Sequence, residues 1–118
     1  MLDEKDLEFV EALRSLDVPR NVAMLITFLA RVSEANSREI ETATRLRQPE
    51  ISRAMQILRE NGWLTEHYIK GNGKGRPLKI YALRATIDEI INYYEAEKSR
   101  ELDRTSEAIQ KLKELNAA

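Results

Sequence analysis

The sequence predicts a mainly helical fold with a small β-hairpin and one long C-terminal helix. Three observations carry that expectation. Apolar residues recur at three- and four-residue steps through much of the chain before Gly62, which is the spacing of a buried helix face. Three of the four glycines fall in the connector from Gly71 to Pro77, between two stretches that read as strands; such a connector is a flexible hairpin tip. Beyond Thr86, a good helix cap, a last helix is expected from Ile87 to about Asn116, about 45 Å long at 1.5 Å per residue.

In order along the chain, Asp3 to Leu16 opens with acids that suit a helix N-terminus and puts Phe9, Val10, Leu13 and Leu16 on one face. That helix ends near Asp17. Pro19 starts a second, strongly apolar and central helix with Val22, Leu25, Ile26, Leu29 and Val32 on its buried stripe. Asn36 and Ser37 are good caps, and Glu39 is placed to complete a capping box from Asn36 before a short helix carrying Ile40, Ala43 and Leu46. Gln48-Pro49 restarts the chain, because a residue before proline is driven out of the helical region. A fourth helix then runs from about Pro49 to Asn61, burying Ile51, Ala54, Met55 and Leu58, with Gly62 as its left-handed stop. Strands are expected over Trp63 to Lys70 and Leu78 to Leu83, the second with Leu78, Ile80 and Ala82 on one side. The resulting division is a compact domain over 1–85 and a C-terminal helix over 86–118.

Composition narrows the function. With 118 residues, 42% of them hydrophobic and 33% charged, the chain can build one globular core and little else. It lacks the apolar run of a membrane span and the basic, apolar start of a signal peptide, so a cytoplasmic location is expected. No cysteine and a single histidine, His67, leave no basis for a thiolate metal site, a cysteine nucleophile or a histidine cluster. His67 is expected to be structural, no metal or cofactor is expected, and no carboxylate pair calls for acid/base chemistry; an enzyme is therefore not expected. The net charge of −1 hides a strong asymmetry: Arg38 to Lys79 holds nine basic and five acidic residues, a local excess of +4. An electropositive segment of this kind is the footprint of a nucleic-acid binder.

A short helix, a turn, an amphipathic helix and a hairpin with a basic tip make up a winged helix-turn-helix arrangement. Leu16 to Leu83 resembles the DNA-binding domain of MarR-type and TrmB-type prokaryotic regulators. LDVPRNVAMLITFLARV is similar to the TrmB-type entry helices, SREIETATRLRQPEISRAMQILRENGWL to the helix-turn-helix of both types, and KGNGKGRPLKIYAL to their wing. The resemblance implies a transcriptional regulator that binds double-stranded DNA. TrmB-type proteins usually add an effector-binding domain after this point, and sugar sensing is not carried over to this chain.

On the fourth helix, burial of Ile51, Ala54, Met55 and Leu58 leaves Ser52, Arg53, Gln56 and partly Ile57 outward. An arginine can bond a guanine edge twice, a glutamine can do the same to adenine, and an isoleucine can touch a thymine methyl in the major groove. Gln48 and the open amides of the helix start suit a phosphate; Ser37, Arg38 and Arg47 are expected DNA contacts as well. In the wing, Lys70, Asn72, Lys74, Arg76 and Lys79 form a basic run, and the interleaved glycines allow close approach to a backbone or minor groove. Taken singly, each of these faces would read as a solvated surface; the whole arrangement favours DNA. The last helix offers Ile87, Ile91 and Tyr94 on one stripe, then Leu102, Thr105, Ile109 and Leu112 on another, with Lys98 and Glu101 interrupting. Such a seam needs a partner surface, and the resemblance implies a homodimer, with folding back on its own domain as the alternative. Two rival functions stay open: a winged helix used for protein contacts, and a regulator gated by a small effector in an apolar pocket beside Trp63, Tyr93 and Tyr94.

Overall fold

A computed structural model of the chain describes residues 1–70 and 75–118, which form two compact units, Met1–Thr86 and Ile87–Ala118. The first unit contains α1 (Glu4–Arg14), α2 (Arg20–Arg31), β1 (Ala35–Asn36), α3 (Ser37–Thr44), α4 (Gln48–Glu60), β2 (Leu64–Ile69) and β3 (Leu78–Leu83). The second is a single helix, α5 (Ile87–Ala117).

Local sequence sets each helix boundary. At the start of α1, the Asp6 amide donates to Asp3 Oδ1 and the Asp3 amide to Asp6 Oδ2, both at 2.9 Å. This reciprocal box satisfies two of the amides that a helix start leaves without partners. The same device opens α3, where the Glu39 amide donates to Asn36 Oδ1 and the Asn36 amide to Glu39 Oε1, again at 2.9 Å. Helix α1 stops with Asp17 in the left-handed region at φ 67°, its amide donating to Arg14 O at 2.9 Å and that of Val18 to Leu13 O at 3.3 Å. Helix α4 stops in the same way around Gly62 at φ 72°, with Gly62 donating to Arg59 O at 3.0 Å and Trp63 to Leu58 O at 2.9 Å. In both stops the residue after the left-handed one, Val18 or Trp63, is buried, as are Leu13 and Leu58, the apolar pattern such stops favour.

Helix α2 is the hub. It packs against α1, α3, α4 and β3, and it buries Val22, Ala23, Met24, Leu25, Ile26, Thr27 and Leu29. Thr27 is tolerated there because its hydroxyl donates to Ala23 O at 2.7 Å; a buried hydroxyl without an acceptor would cost about 1–3 kcal/mol. Val32, expected on the buried stripe, is only half-buried, because the helix ends at Arg31 and Val32 is already extended. From the last turn of α2, Arg31 pairs with Asp6 in the first turn of α1.

The sheet is antiparallel, in the order β1-β3-β2. The hairpin register puts Glu66 opposite Tyr81, His67 opposite Ile80 and Tyr68 opposite Lys79. The expected strand over Leu78 to Leu83 coincides with β3. Its inward side is carried by Ile80, which is buried, whereas Leu78 at the outer end is exposed. No third strand is expected from the sequence. β1 is two residues long and joins the sheet by pairing Ala35 with Tyr81 and Asn36 with Ile80, and so short a segment has no alternation to recognise.

Between α3 and α4 lies a tight turn, Arg45 to Arg47. Arg45 is left-handed at φ 61°, and the Thr44 hydroxyl bridges the turn by donating to Ile40 O at 2.7 Å and accepting from the Leu46 amide at 3.2 Å. The fourth helix begins at Gln48, one residue before the expected start at Pro49. The extended cap is Arg47, at φ −88° and ψ 158°, whose carbonyl accepts from the Ile51 amide at 2.9 Å. The bias of a pre-proline residue against helical geometry is a preference, and closure of this first turn outweighs it at Gln48. The first unit is a winged helix-turn-helix: α3 and α4 form the helix-turn-helix, β2 and β3 the wing, and the protein continues into a long C-terminal helix.

In α5, Ile90 is buried and Tyr94 half-buried, with the Tyr93 and Tyr94 rings edge-on at 5.2 Å between centroids. Burial, and then the neighbouring Tyr93, push the Tyr94 phenol up to about 12.

Candidate nucleic-acid interface

Helix α4 has two faces because its sequence repeats with helical period. Ile51, Ala54, Met55 and Leu58 are buried, while Ser52, Arg53 and Gln56 are exposed and Ile57 is half-buried between them. Burial of the first set positions the second, since a helix anchored on four core side chains cannot rotate. Arg53 makes no salt bridge among the described residues, so its guanidinium presents a free fork of donors.

Gln56 is held differently. Its Nε2 donates to Glu60 Oε1 at 3.1 Å, and its Oε1 accepts from Arg59 Nη1 at 3.1 Å. Arg59 in turn grips Glu66 on β2 with two bonds, Nε to Oε2 at 2.7 Å and Nη2 to Oε1 at 2.8 Å. Lys79 Nζ on β3 reaches the same carboxylate at 3.1 Å and stands 5.6 Å and 5.5 Å from the ring centroids of Tyr68 and Tyr81. One connected network therefore ties the last turns of α4 to both wing strands. Hydrogen bonding from Arg59, then from Lys79, holds the Glu66 carboxyl at about 2 against the ordinary 4.5. Bonding to Glu66 raises both Arg59 and Lys79 above their ordinary values.

The network divides the expected contact residues. Arg38, Arg47, Arg53, Lys70 and Arg76 are exposed and form no salt bridge among the described residues, so their charge is available to phosphates. Lys79 is committed to Glu66, and both ends of the Gln56 amide are engaged, by Glu60 and by Arg59. Ser37 is half-buried as the first residue of α3 and Gln48 is exposed as the first of α4. The start of α4 offers fewer free amides than its sequence suggests. Pro49 has none, and the Arg47 amide already donates to Glu50 Oε1 at 2.9 Å. Asn72 and Lys74, the remaining expected wing contacts, lie outside the described residues. Of the rest of the wing tip, Gly75 is at φ 106°, a conformation that favours glycine.

Sequence reasoning overlooks Arg59 and Glu66. The three-residue step from Gln56 to Arg59 is a detectable helical neighbour pair, but the partner carboxylate becomes visible only once the hairpin register is known. His67 is exposed on β2 with its Nε2 3.8 Å from Glu34 Oε2. Among the described residues no group of three or more His, Asp or Glu side chains gathers as a metal site, and no helix is long and apolar enough to cross a membrane. Away from the outward face of α4, a shallow groove of about 560 Å³ runs between α2 and α3, lined by Met1, Phe28, Val32, Arg38, Thr42 and Ala43 among others.

No protein-family model matches the chain, and no curated protein matches its sequence. Among solved structures, the fold is similar to a "possible transcriptional regulator" from Methanosarcina mazei, with a TM-score of 0.63 and 15% identity over 89% of this chain and 87% of that one. Weaker overlaps occur with Pex from a Synechococcus strain, with a TM-score of 0.49, 18% identity, and coverage of 86% and 98%. A PadR-like transcription factor from Bacteroides fragilis gives a TM-score of 0.47 and 18% identity over 85% of this chain and 97% of that one. At these identities the likeness is one of fold.

Proposed function

We propose that this protein is a sequence-specific DNA-binding transcriptional regulator of the MarR- or TrmB-like kind, acting as a homodimeric repressor. The observation that carries the reading is the outward face of α4, where Ser52 and Arg53 stand exposed on a helix locked by four buried side chains. A helix so presented fits the major groove, with Arg53 bonding a guanine edge and Gln56 an adenine. The basic wing, Lys70 to Lys79, would lie along the backbone or minor groove, and Arg38 and Arg47 would bond phosphates. The description of the Methanosarcina mazei protein as a possible regulator agrees with this. Dimerisation through α5 would set two α4 helices on a near-palindromic site with half-sites about 10 bp apart or slightly more.

The test is selection from a random duplex pool by the parent protein and by Arg53→Ala. The parent is expected to enrich one palindromic motif containing guanine in each half-site. Arg53→Ala should lose about 1–3 kcal/mol and relax the preference at that guanine. Equal motifs and equal affinity from both proteins would remove Arg53 from the interface. Failure of the parent to enrich any sequence would turn the reading toward a protein-interaction module.

A further inference from the structure

Helix α5 presents a row of exposed apolar side chains: Ile91 is 40% exposed, Leu102 68%, Ile109 49% and Leu112 66%. Their spacing contains more than an interrupted stripe. From Ile87 to Leu112 the seam advances by four, three, four, four, three, four and three residues, through Lys98 and Thr105. The doubled step of four is an insertion in an otherwise heptad pattern, the kind that locally unwinds a left-handed supercoil. Turned end for end about the point between Glu101 and Leu102, six of the eight seam positions fall on one another, while Leu102 comes level with Glu101 and Ile87 with Asn116. Ile91 comes level with Leu112, Tyr94 with Ile109, and Lys98 with Thr105.

Charge chooses between the two ways of pairing. Residues 87–103 hold six acidic and two basic side chains, a net −4, whereas 104–117 hold three basic and two acidic, a net +1. Two parallel copies in register would set the −4 segments side by side, and juxtaposed like charges oppose association; Lys98 itself is paired with Glu101 at 3.0 Å. Antiparallel copies lay each −4 segment along a +1 segment, and Lys98 meets the Thr105 hydroxyl.

We propose that this face of α5 is the docking surface for α5 of a second copy of the chain, running antiparallel with Ile91 against Leu112 and Tyr94 against Ile109. The inference rests on the dimer reading above and adds its orientation and register. The insertion and the Lys98–Thr105 pairs near the centre then mark the register, since any slide removes both apolar matches together.

The absence of cysteine makes the geometry testable with introduced thiols. Tyr94→Cys and Ile109→Cys are prepared separately in the full chain, mixed by unfolding and refolding, and treated with a thiol cross-linker reaching about 10 Å, the axis separation of packed helices. In the proposed register the mixture cross-links at least tenfold better than either variant alone, because two copies of position 94 are about 22 Å apart along the axis. A label at the exposed Lys111, off the seam, supplies a check that leaves the seam intact: after Lys111→Cys, a spin pair should be separated by about 28 Å or more. Efficient cross-linking of each variant alone, or a spin separation below about 20 Å, would overturn the antiparallel register and leave the dimer standing. A monomer in sedimentation of the unmodified chain would overturn both.

Discussion

Replacing Glu66 with glutamine tests whether the contact between α4 and the wing strands is electrostatic. The substitution keeps the side chain's shape and removes the charge held by Arg59 and Lys79. A carboxyl moved from 4.5 to about 2 corresponds to about 3 kcal/mol at ~1.4 kcal/mol per pH unit. The Arg59 and Lys79 side chains are 42% and 35% exposed, so solvent screening reduces the expected loss to about 1–2 kcal/mol. Because the carboxyl titrates lower in the folded than in the unfolded chain, its contribution is complete above 4.5 and is lost as the pH falls toward about 2. Urea unfolding followed by fluorescence of the buried Trp63, at fixed protein concentration, measures the gap between parent and Glu66→Gln at pH 7, 5 and 2.5. The gap should be full at pH 7 and 5 and much reduced at pH 2.5. Equal stability at pH 7, or a gap unchanged by acid, would refute the ion-pair account of this contact.

Other perturbations follow from single features of the fold. Asn36→Ala removes one half of the capping box of α3 and should lower stability by about 1 kcal/mol, read from the urea midpoint. At Arg45, left-handed at φ 61°, valine should be at least about 1 kcal/mol less stable than glycine, because a β-branched side chain resists that conformation; similar midpoints for the two variants would show that the turn can rearrange. Arg76→Ala, on the exposed wing, should weaken binding to all DNA sequences alike and reduce the salt slope by about 1. A change confined to one sequence would instead make Arg76 a base reader.

The legibility of this chain follows the range of the interactions concerned. Elements governed by local rules stand in the sequence: the buried stripe of α4 and that of α2 as far as Leu29, the Asn36–Glu39 box, and Gly62 in its left-handed stop. The left-handed Asp17 and Arg45 do not, because neither is the glycine that usually marks such a position. Pro49 misleads by one residue, since its bias on Gln48 is smaller than the gain from closing the first turn on Arg47. β1 exists only through pairing with β3, and its two residues carry no pattern of their own. The outward face of α4 is legible for the same reason its buried face is. The engagement of Gln56 and Lys79 is not, because Arg59, Glu66 and Lys79 meet only after α4 has packed on β2 and the hairpin has taken its register. Sequence thus identifies which residues point outward, and tertiary pairing decides which of their charges remain free.

Base reading by α4 is measured most directly by an anisotropy titration of the unmodified protein against duplex from its own upstream region and a scrambled duplex of equal length, each at two salt concentrations. A regulator reading bases through α4 binds the native duplex more tightly at both concentrations, and its affinity falls steeply with salt as phosphate contacts release counterions. Equal binding to both duplexes, or no binding to either at low salt, would contradict the account.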